Sequence, residues 1–215
     1  MDTPEAIAAT YLQRHVSIDI GSALSRGWAL LQANMGVLIG ATLLGWVVSL
    51  GLSVVPVLGW VVGFVILGGL DYMFLRRIRG QDIEVGDVFA GFNLAFMNLS
   101  LAGLVKTVLI FVGCLLCILP GIYLGVGYVF ALPLVIDKKM EFWPAMEVSR
   151  RVVHEHWWSV FALVIVLAIV ALIGSLACVV GLVITVPLAS ASFMYVYEEL
   201  FGTKAAEMPA PAPVA

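Results

Sequence analysis

The sequence predicts an all-α, polytopic membrane protein: six transmembrane helices as three parallel helical hairpins, each preceded by an amphipathic interfacial helix. Three observations predict it. Of the 215 residues, 62% are hydrophobic and 12% charged, whereas soluble domains are about a quarter charged. The mean hydropathy of +1.09 excludes a soluble globular domain. Apolar runs recur at the length of about 20 residues that a helix needs to cross the hydrocarbon layer, and the charges gather at one side of those runs. A net charge of −3 without a long basic stretch argues against a nucleic-acid-binding or disordered chain.

Residues 1–17 read as an N-terminal cytoplasmic segment. Met1 to Asn34 lacks a basic head followed directly by an apolar core, so no cleavable signal peptide is expected. A single membrane domain follows over 18–202. Its expected spans run approximately Gly36 to Val55, Val57 to Leu75, Ser100 to Leu119, Gly121 to Ile136, Trp157 to Val180 and Leu182 to Tyr197. Only a helix satisfies every backbone group within one segment. Pro56, Pro120-Gly121 and Gly181 punctuate three long apolar stretches as hairpin turns. A wedge entering one leaflet is the competing reading. The Pro/Ala tail, 203–215, has nothing to bury and is expected to be disordered.

Of eleven Lys and Arg residues, all but Lys106 fall on one side of this map, including Arg14 and Lys204. The positive-inside rule then puts both termini in the cytoplasm. Trp28, Trp143, Trp157, Trp158, Tyr195 and Tyr197 fall near the inner boundary, Trp60 and Tyr123 near the outer, as interfacial anchors.

Three segments superpose, beginning at Ile18-Asp19-Ile20, Ile83-Glu84-Val85 and Met140-Glu141-Phe142. They define repeat units of about 18–82, 83–139 and 140–202. Each opens on an apolar-acidic-apolar triplet, continues through an amphipathic stretch expected along the cytoplasmic interface, and closes on an acid: Asp71, Asp137 or Glu198. Two spans per unit return the chain to its starting side, so the copies are parallel. This disfavours inverted-repeat transporter architecture. The Pro-x-Asp/Glu-x-x-Lys/Arg signature of mitochondrial carriers is absent.

Gly68-Gly69-Leu70-Asp71, Asp87-Val88-Phe89-Ala90-Gly91-Phe92, Pro120-Gly121-Ile122-Tyr123 with Pro133, and Phe142-Trp143-Pro144-Ala145-Met146-Glu147-Val148-Ser149 resemble the membrane domain attached to some bacterial glycerophosphoryl diester phosphodiesterases and its stand-alone relatives. The likeness covers roughly residues 18 to 201. It implies a bacterial inner-membrane protein. It does not imply hydrolysis, because the chain has no room for the soluble catalytic barrel.

Lys106 lies about six residues, or roughly 9 Å, inside the third expected span. A charge at a span's centre costs on the order of 2.5 to 3.5 kcal/mol. Lys106 either snorkels or pairs structurally with Asp71 or Asp137, or else forms with Asp71 a polar site for an anionic solute, headgroup or proton. Cys114 and Cys117 with Cys178 make no complete soft-metal cluster, and His154 and His156, at i and i+2, point to different helix faces. No metal or cofactor is expected. The pairs Gly36/Gly40, Gly59/Gly63 and Gly121/Gly125 suit close helix packing within the chain or, alternatively, a homo-oligomer face. Pro133 and Pro187 are expected to kink their helices.

No nucleophile, base and orienter assemble from the spans, so no enzyme is expected. The sequence points to a non-catalytic, lipid-interacting scaffold in a cell inner membrane, with lipids as partners. Arg76, Arg77, Arg79, Lys138, Lys139, Arg150 and Arg151 are the expected headgroup contacts. The alternative is a small-solute or lipid transporter or channel, with its path between the hairpins near Lys106 and Asp71.

Overall fold

The computed structural model describes residues 3–13, 16, 18–52, 56–176 and 178–202, without the side chains of 52, 56–58 and 178–180. Arg14, Lys204, the tail at 203–215 and the first outer turn fall outside the described residues. The described residues fold as helices, with no strand among them. The order is α1 (Pro4–Leu12), α2 (Ile20–Ala33), α3 (Met35–Leu52), α4 (Pro56–Ile78), a 3-10 turn (Val85–Phe89), α5 (Ala90–Leu94), α6 (Phe96–Leu116), α7 (Ile118–Gly127), α8 (Ala131–Lys138), α9 (Phe142–Glu155), α10 (Trp157–Leu176) and α11 (Cys178–Phe201).

Four stretches among the described residues are long and apolar enough to cross a membrane: Phe96–Leu116, Ile118–Lys138, Trp157–Leu176 and Gly181–Phe201. The pair Ile20–Ala33 and Met35–Gly51, bent by 97°, makes a fifth if counted as one span. These are the helices of a multi-pass membrane protein.

The acid of each opening triplet stands at a helix start, and two of the three cap it by their side chains. Asp19, Glu84 and Glu141 are all N-cap residues. Asp19 accepts hydrogen bonds from the Gly21 and Ser22 amides at 2.9 and 3.3 Å, and Glu84 forms a capping box with Asp87. A cap satisfies backbone donors that the first turn leaves unpaired. Each short segment then ends at one non-helical residue, Asn34, Ala95 or His156, before a long apolar helix begins.

The prolines lie in first turns rather than in the reversals themselves. Pro56 starts α4, and Pro120 follows the break at Cys117 by three residues. The missing proline N–H has no helical partner at that position in any case. Likewise α11 begins at Cys178, ahead of Gly181. The kink expected at Pro133 is a break at Tyr128–Phe130, with Pro133 in the first turn of α8, whereas Pro187 lies within the continuous α11.

The short segments do not offer their apolar faces to lipid as expected. They pack on other helices of the chain: α2 on the distant α11, and the 3-10 turn and α5 on the preceding α4, as α9 does on the preceding α8 and α7. Glycine makes these approaches possible. A Cβ at Gly69 would collide with the Val88 carbonyl, one at Gly91 with the Val65 carbonyl, and one at Gly27 with Ser192. On α9 the packed face buries Ala145, Met146, Val148, Val152 and Val153. What remains outside includes Trp28, Phe92 and Trp143.

Consecutive long helices also pack together, α3 on α4, α6 on α7 and α10 on α11. The second member of each pair lies further inside. Across the apolar stretch of α6 28% of residues are buried against 56% for Ile118–Lys138, and across that of α10 17% against 39% for Gly181–Phe201. The core is filled by Met73 and Phe74 of α4, Leu134 and Ile136 of α8, and Met194, Tyr197 and Phe201 of α11. Phe130 stacks on Phe193 at 4.8 Å and Tyr197 on Phe201 at 5.2 Å between ring centroids. Val108, Phe111 and Leu115 of α6, and Ile169, Leu172 and Leu176 of α10, stay exposed, as side chains facing hydrocarbon would.

Candidate functional site

Three arrangements carry the chain's polar chemistry. The first joins the ends of α4, α8 and α11. Arg79, just past α4, donates to both Asp137 carboxylate oxygens at 2.5 and 3.1 Å and to Glu198 Oε2 at 2.8 and 3.1 Å. Tyr197 donates its hydroxyl to Asp137 at 2.9 Å, and Lys138 pairs with Asp137 at 3.3 Å. Acids at helix C-termini oppose the macrodipole, so Asp137 and Glu198 need this cation. Burial pushes the Arg79 guanidinium down, but its hydrogen bonds to Asp137 and Glu198 outweigh that and hold it above its ordinary value. Beside it, Arg26 of α2 pairs with Glu199 and lies over the Tyr195 ring. Of the three closing acids, then, Asp137 and Glu198 meet at one arginine. Asp71 does not join them.

The second arrangement is Lys106 with Asp71. Because α6 begins at Phe96 rather than Ser100, Lys106 lies ten residues in, about 15 Å along the helix. That is the middle of the candidate span, deeper than the sequence suggested. Asp137 is taken by Arg79 and Lys138. Asp71, half-buried on α4, is the acid coupled to Lys106, through space rather than by direct contact. The ammonium lies 5.8 Å from the centroid of the Phe64 ring, within cation–π range. Next to it, Gly59, Trp60, Gly63, Phe64, Leu67 and Thr107 line a shallow groove of about 300 Å³.

The third was not anticipated. Tyr123 and His154 are hydrogen bonded at 3.0 Å, and Tyr123 stacks on Trp157 at 6.4 Å. The sequence map put Tyr123 and Trp157 at opposite boundaries, which this contact overturns. The physical reason is that α9 climbs along α8 and α7, held by the Ser149 hydroxyl on the Gly127 carbonyl at 2.7 Å, and so carries the start of α10 to Tyr123. His154 follows Arg150 and Arg151 at i+4 and i+3 on one helix face. Its partner, 31 residues away, left no local signal.

Among the expected headgroup contacts, Arg76 binds Asp87 at 3.0 Å, Gln81 and the Asp82 carbonyl. Arg150 and Arg151 both bind Glu147, and Arg151 also binds Glu5 of α1 at 2.7 Å. Hydrogen bonds from Arg150, opposed by partial burial, and from Arg151 hold the Glu147 carboxyl below its ordinary value. Arg77 and the exposed Lys139 have no ion pair among the described residues. Cys114 and Cys117 are exposed free thiols, and the Cys178 side chain lies outside the described set. Gly121 packs on Cys114 within the chain, while a Cβ at Gly36, Gly63 or Gly125 would meet open space.

No family model matches the chain, and no solved structure matches it. It is 30% identical, over 135 residues, to uncharacterised proteins of Mycobacterium bovis and of two strains of Mycobacterium tuberculosis. That alignment covers 62% of the chain and spans 41% of the length of these curated relatives.

Proposed function

We propose that the chain is a non-catalytic membrane scaffold that holds lipid at its perimeter. It has six spans in three parallel hairpins, built from a threefold repeat, with both termini on the cytoplasmic side of a bacterial inner membrane. The observation that carries this reading is the occupied centre. Where α4, α8 and α11 meet, the space is taken by Phe130, Tyr197, Phe201 and the Arg79–Asp137–Glu198 pairs, while α6 and α10 turn apolar side chains outward. An axial water path would have to break those pairs.

Support for the repeat comes from the contacts. Each acid-capped segment packs on the closing helix of the unit before it, and α2 of the first unit packs on α11 of the last, so the pattern closes into a ring. The likeness to the membrane domain of glycerophosphoryl diester phosphodiesterases belongs to the same proposal and adds no hydrolase chemistry. Arg77 and Lys139 are the cations left for anionic headgroups.

A specific observation favours transport as the second reading: an intramembrane lysine at mid-span marks a functional site by default. Native mass spectrometry of the purified chain with its co-isolated lipids, together with dye or ion efflux from reconstituted vesicles, separates the two. The scaffold reading expects retained phospholipid and no efflux. Efflux abolished by Lys106→Met, in a variant that still folds, would overturn it, as would retention of no lipid.

A further inference from the structure

Two cavities adjoin where α7, α9 and α10 come together. One, of about 360 Å³, is lined by Tyr123, His154, Glu155, His156, Trp157 and Trp158 among others. The other, of about 340 Å³, shares Tyr123, His154 and Glu155 and adds Arg150, Arg151 and Glu5. Together they form one open groove with basic groups on one wall and indoles on the other.

We propose that this groove holds the headgroup of a zwitterionic, amine-bearing glycerophospholipid, its phosphodiester at Arg150, Tyr123 and His154 and its ammonium at Glu155. This deepens the lipid reading above and rests on it. Three observations converge. The Tyr123 hydroxyl is hydrogen bonded to His154 Nδ1 at 3.0 Å, and Arg150 lines the same cavity, so a hydroxyl, an imidazole and a guanidinium face one space. The Arg151 bonds to Glu147 and Glu5 use Nε and Nη2, leaving Nη1 for a further acceptor.

Charge then selects the headgroup. Arg150 and Arg151 are balanced by Glu147 and Glu5, and Glu155 adds one more acid on the groove wall. A purely anionic headgroup would face that uncompensated carboxylate. A phosphodiester carrying its own ammonium satisfies both walls.

The apolar half of the ligand also has a place. Trp158, 77% exposed, stands at the groove, an indole at the position where aromatic side chains mark the membrane boundary. Ile165, Ile169, Leu172 and Leu176 continue from it as an exposed stripe at helical spacing along α10. From Trp158 to Leu176 the stripe runs about 27 Å, longer than one leaflet of a hydrocarbon core about 30 Å thick.

The test titrates the delipidated full chain in detergent with dioleoylphosphatidylethanolamine, dioleoylphosphatidylglycerol and free phosphoethanolamine, read by native mass spectrometry. The Tyr123→Phe/His154→Gln double variant is compared with a Gln32→Ala control, at an exposed position on α2. Expected is one ethanolamine lipid bound about tenfold more tightly than the glycerol lipid, and about tenfold more weakly by the double variant, the size of one lost charge-assisted hydrogen bond. The control should be unchanged. Equal binding by wild type and double variant would overturn the groove while leaving lipid association standing. Retention of no lipid at all would overturn both. Tighter glycerol-lipid binding would overturn the amine assignment, and free phosphoethanolamine competing as well as the lipid would overturn a lipid occupant. Should the double variant fail to fold, Glu155→Gln, at an exposed position, reports through the ethanolamine-over-glycerol ratio, which must fall toward one.

Discussion

Two arginine–carboxylate clusters in this chain share their chemistry and differ in everything else. Arg79 draws Asp137 and Glu198 from positions 58 and 119 residues away, and those acids are 5% and 2% exposed. Arg150 and Arg151 draw first on Glu147, three and four residues away on the same helix, at 22% exposure, and the distant partner, Glu5 on Arg151, is 69% exposed. The distant cluster ties the ends of three inner helices. The local one decorates a helix that would form without it. An ion pair therefore says little about architecture until its burial and its span along the chain are known.

Removing Arg79 tests the contrast hardest. Arg79→Met leaves the buried Glu198 without its cation and Asp137 with Lys138 alone, a loss of about 3–5 kcal/mol, seen as a large drop in the thermal midpoint of the detergent-solubilised protein. An unchanged midpoint would mean that the inner helix ends are held by packing alone. Gly27→Val comes next. A side chain there collides with Ser192 and pushes α2 off α11 beside the Arg26–Glu199 pair, for about 1–3 kcal/mol of overpacking strain. The same readout, with faster amide exchange confined to α2, checks it.

Glu147→Gln has the smallest effect, about 0.2–1 kcal/mol at neutral pH. Its pH dependence sharpens the comparison. The folded chain holds Glu147 below its ordinary value of 4.5, so the folded state binds that proton less readily than the unfolded one. The stabilisation is then complete above about pH 4.5 and is lost as pH falls through the depressed folded value. Unfolding midpoints of wild type and Glu147→Gln should converge over that acid range. A constant difference down to the lowest pH at which the protein stays folded would place the contribution of Glu147 elsewhere.

Much of the fold was legible because it is local. Apolar runs of spanning length and the acids of the opening triplets each act within a few residues, and Asp19 and Glu84 cap the segments they open. The site was legible only in part. Lys106 stood out as a charge in an apolar run, yet its depth depended on where α6 starts. His154 looked like one more polar residue on a solvated face, because nothing near it in sequence announces Tyr123.

By itself, then, the sequence determined that this chain is helical and membrane-borne and that its apolar stretches reach spanning length. Backbone hydrogen bonding and transfer from water act on each segment separately, so the residues of a segment suffice to specify them. The tertiary structure alone decided that short capped segments grip helices from other parts of the chain, that Arg79 collects two of the three closing acids, and that Tyr123 meets His154. Those outcomes depend on which glycines let two backbones approach and which buried charge finds its counterion, and both are properties of pairs distant along the chain.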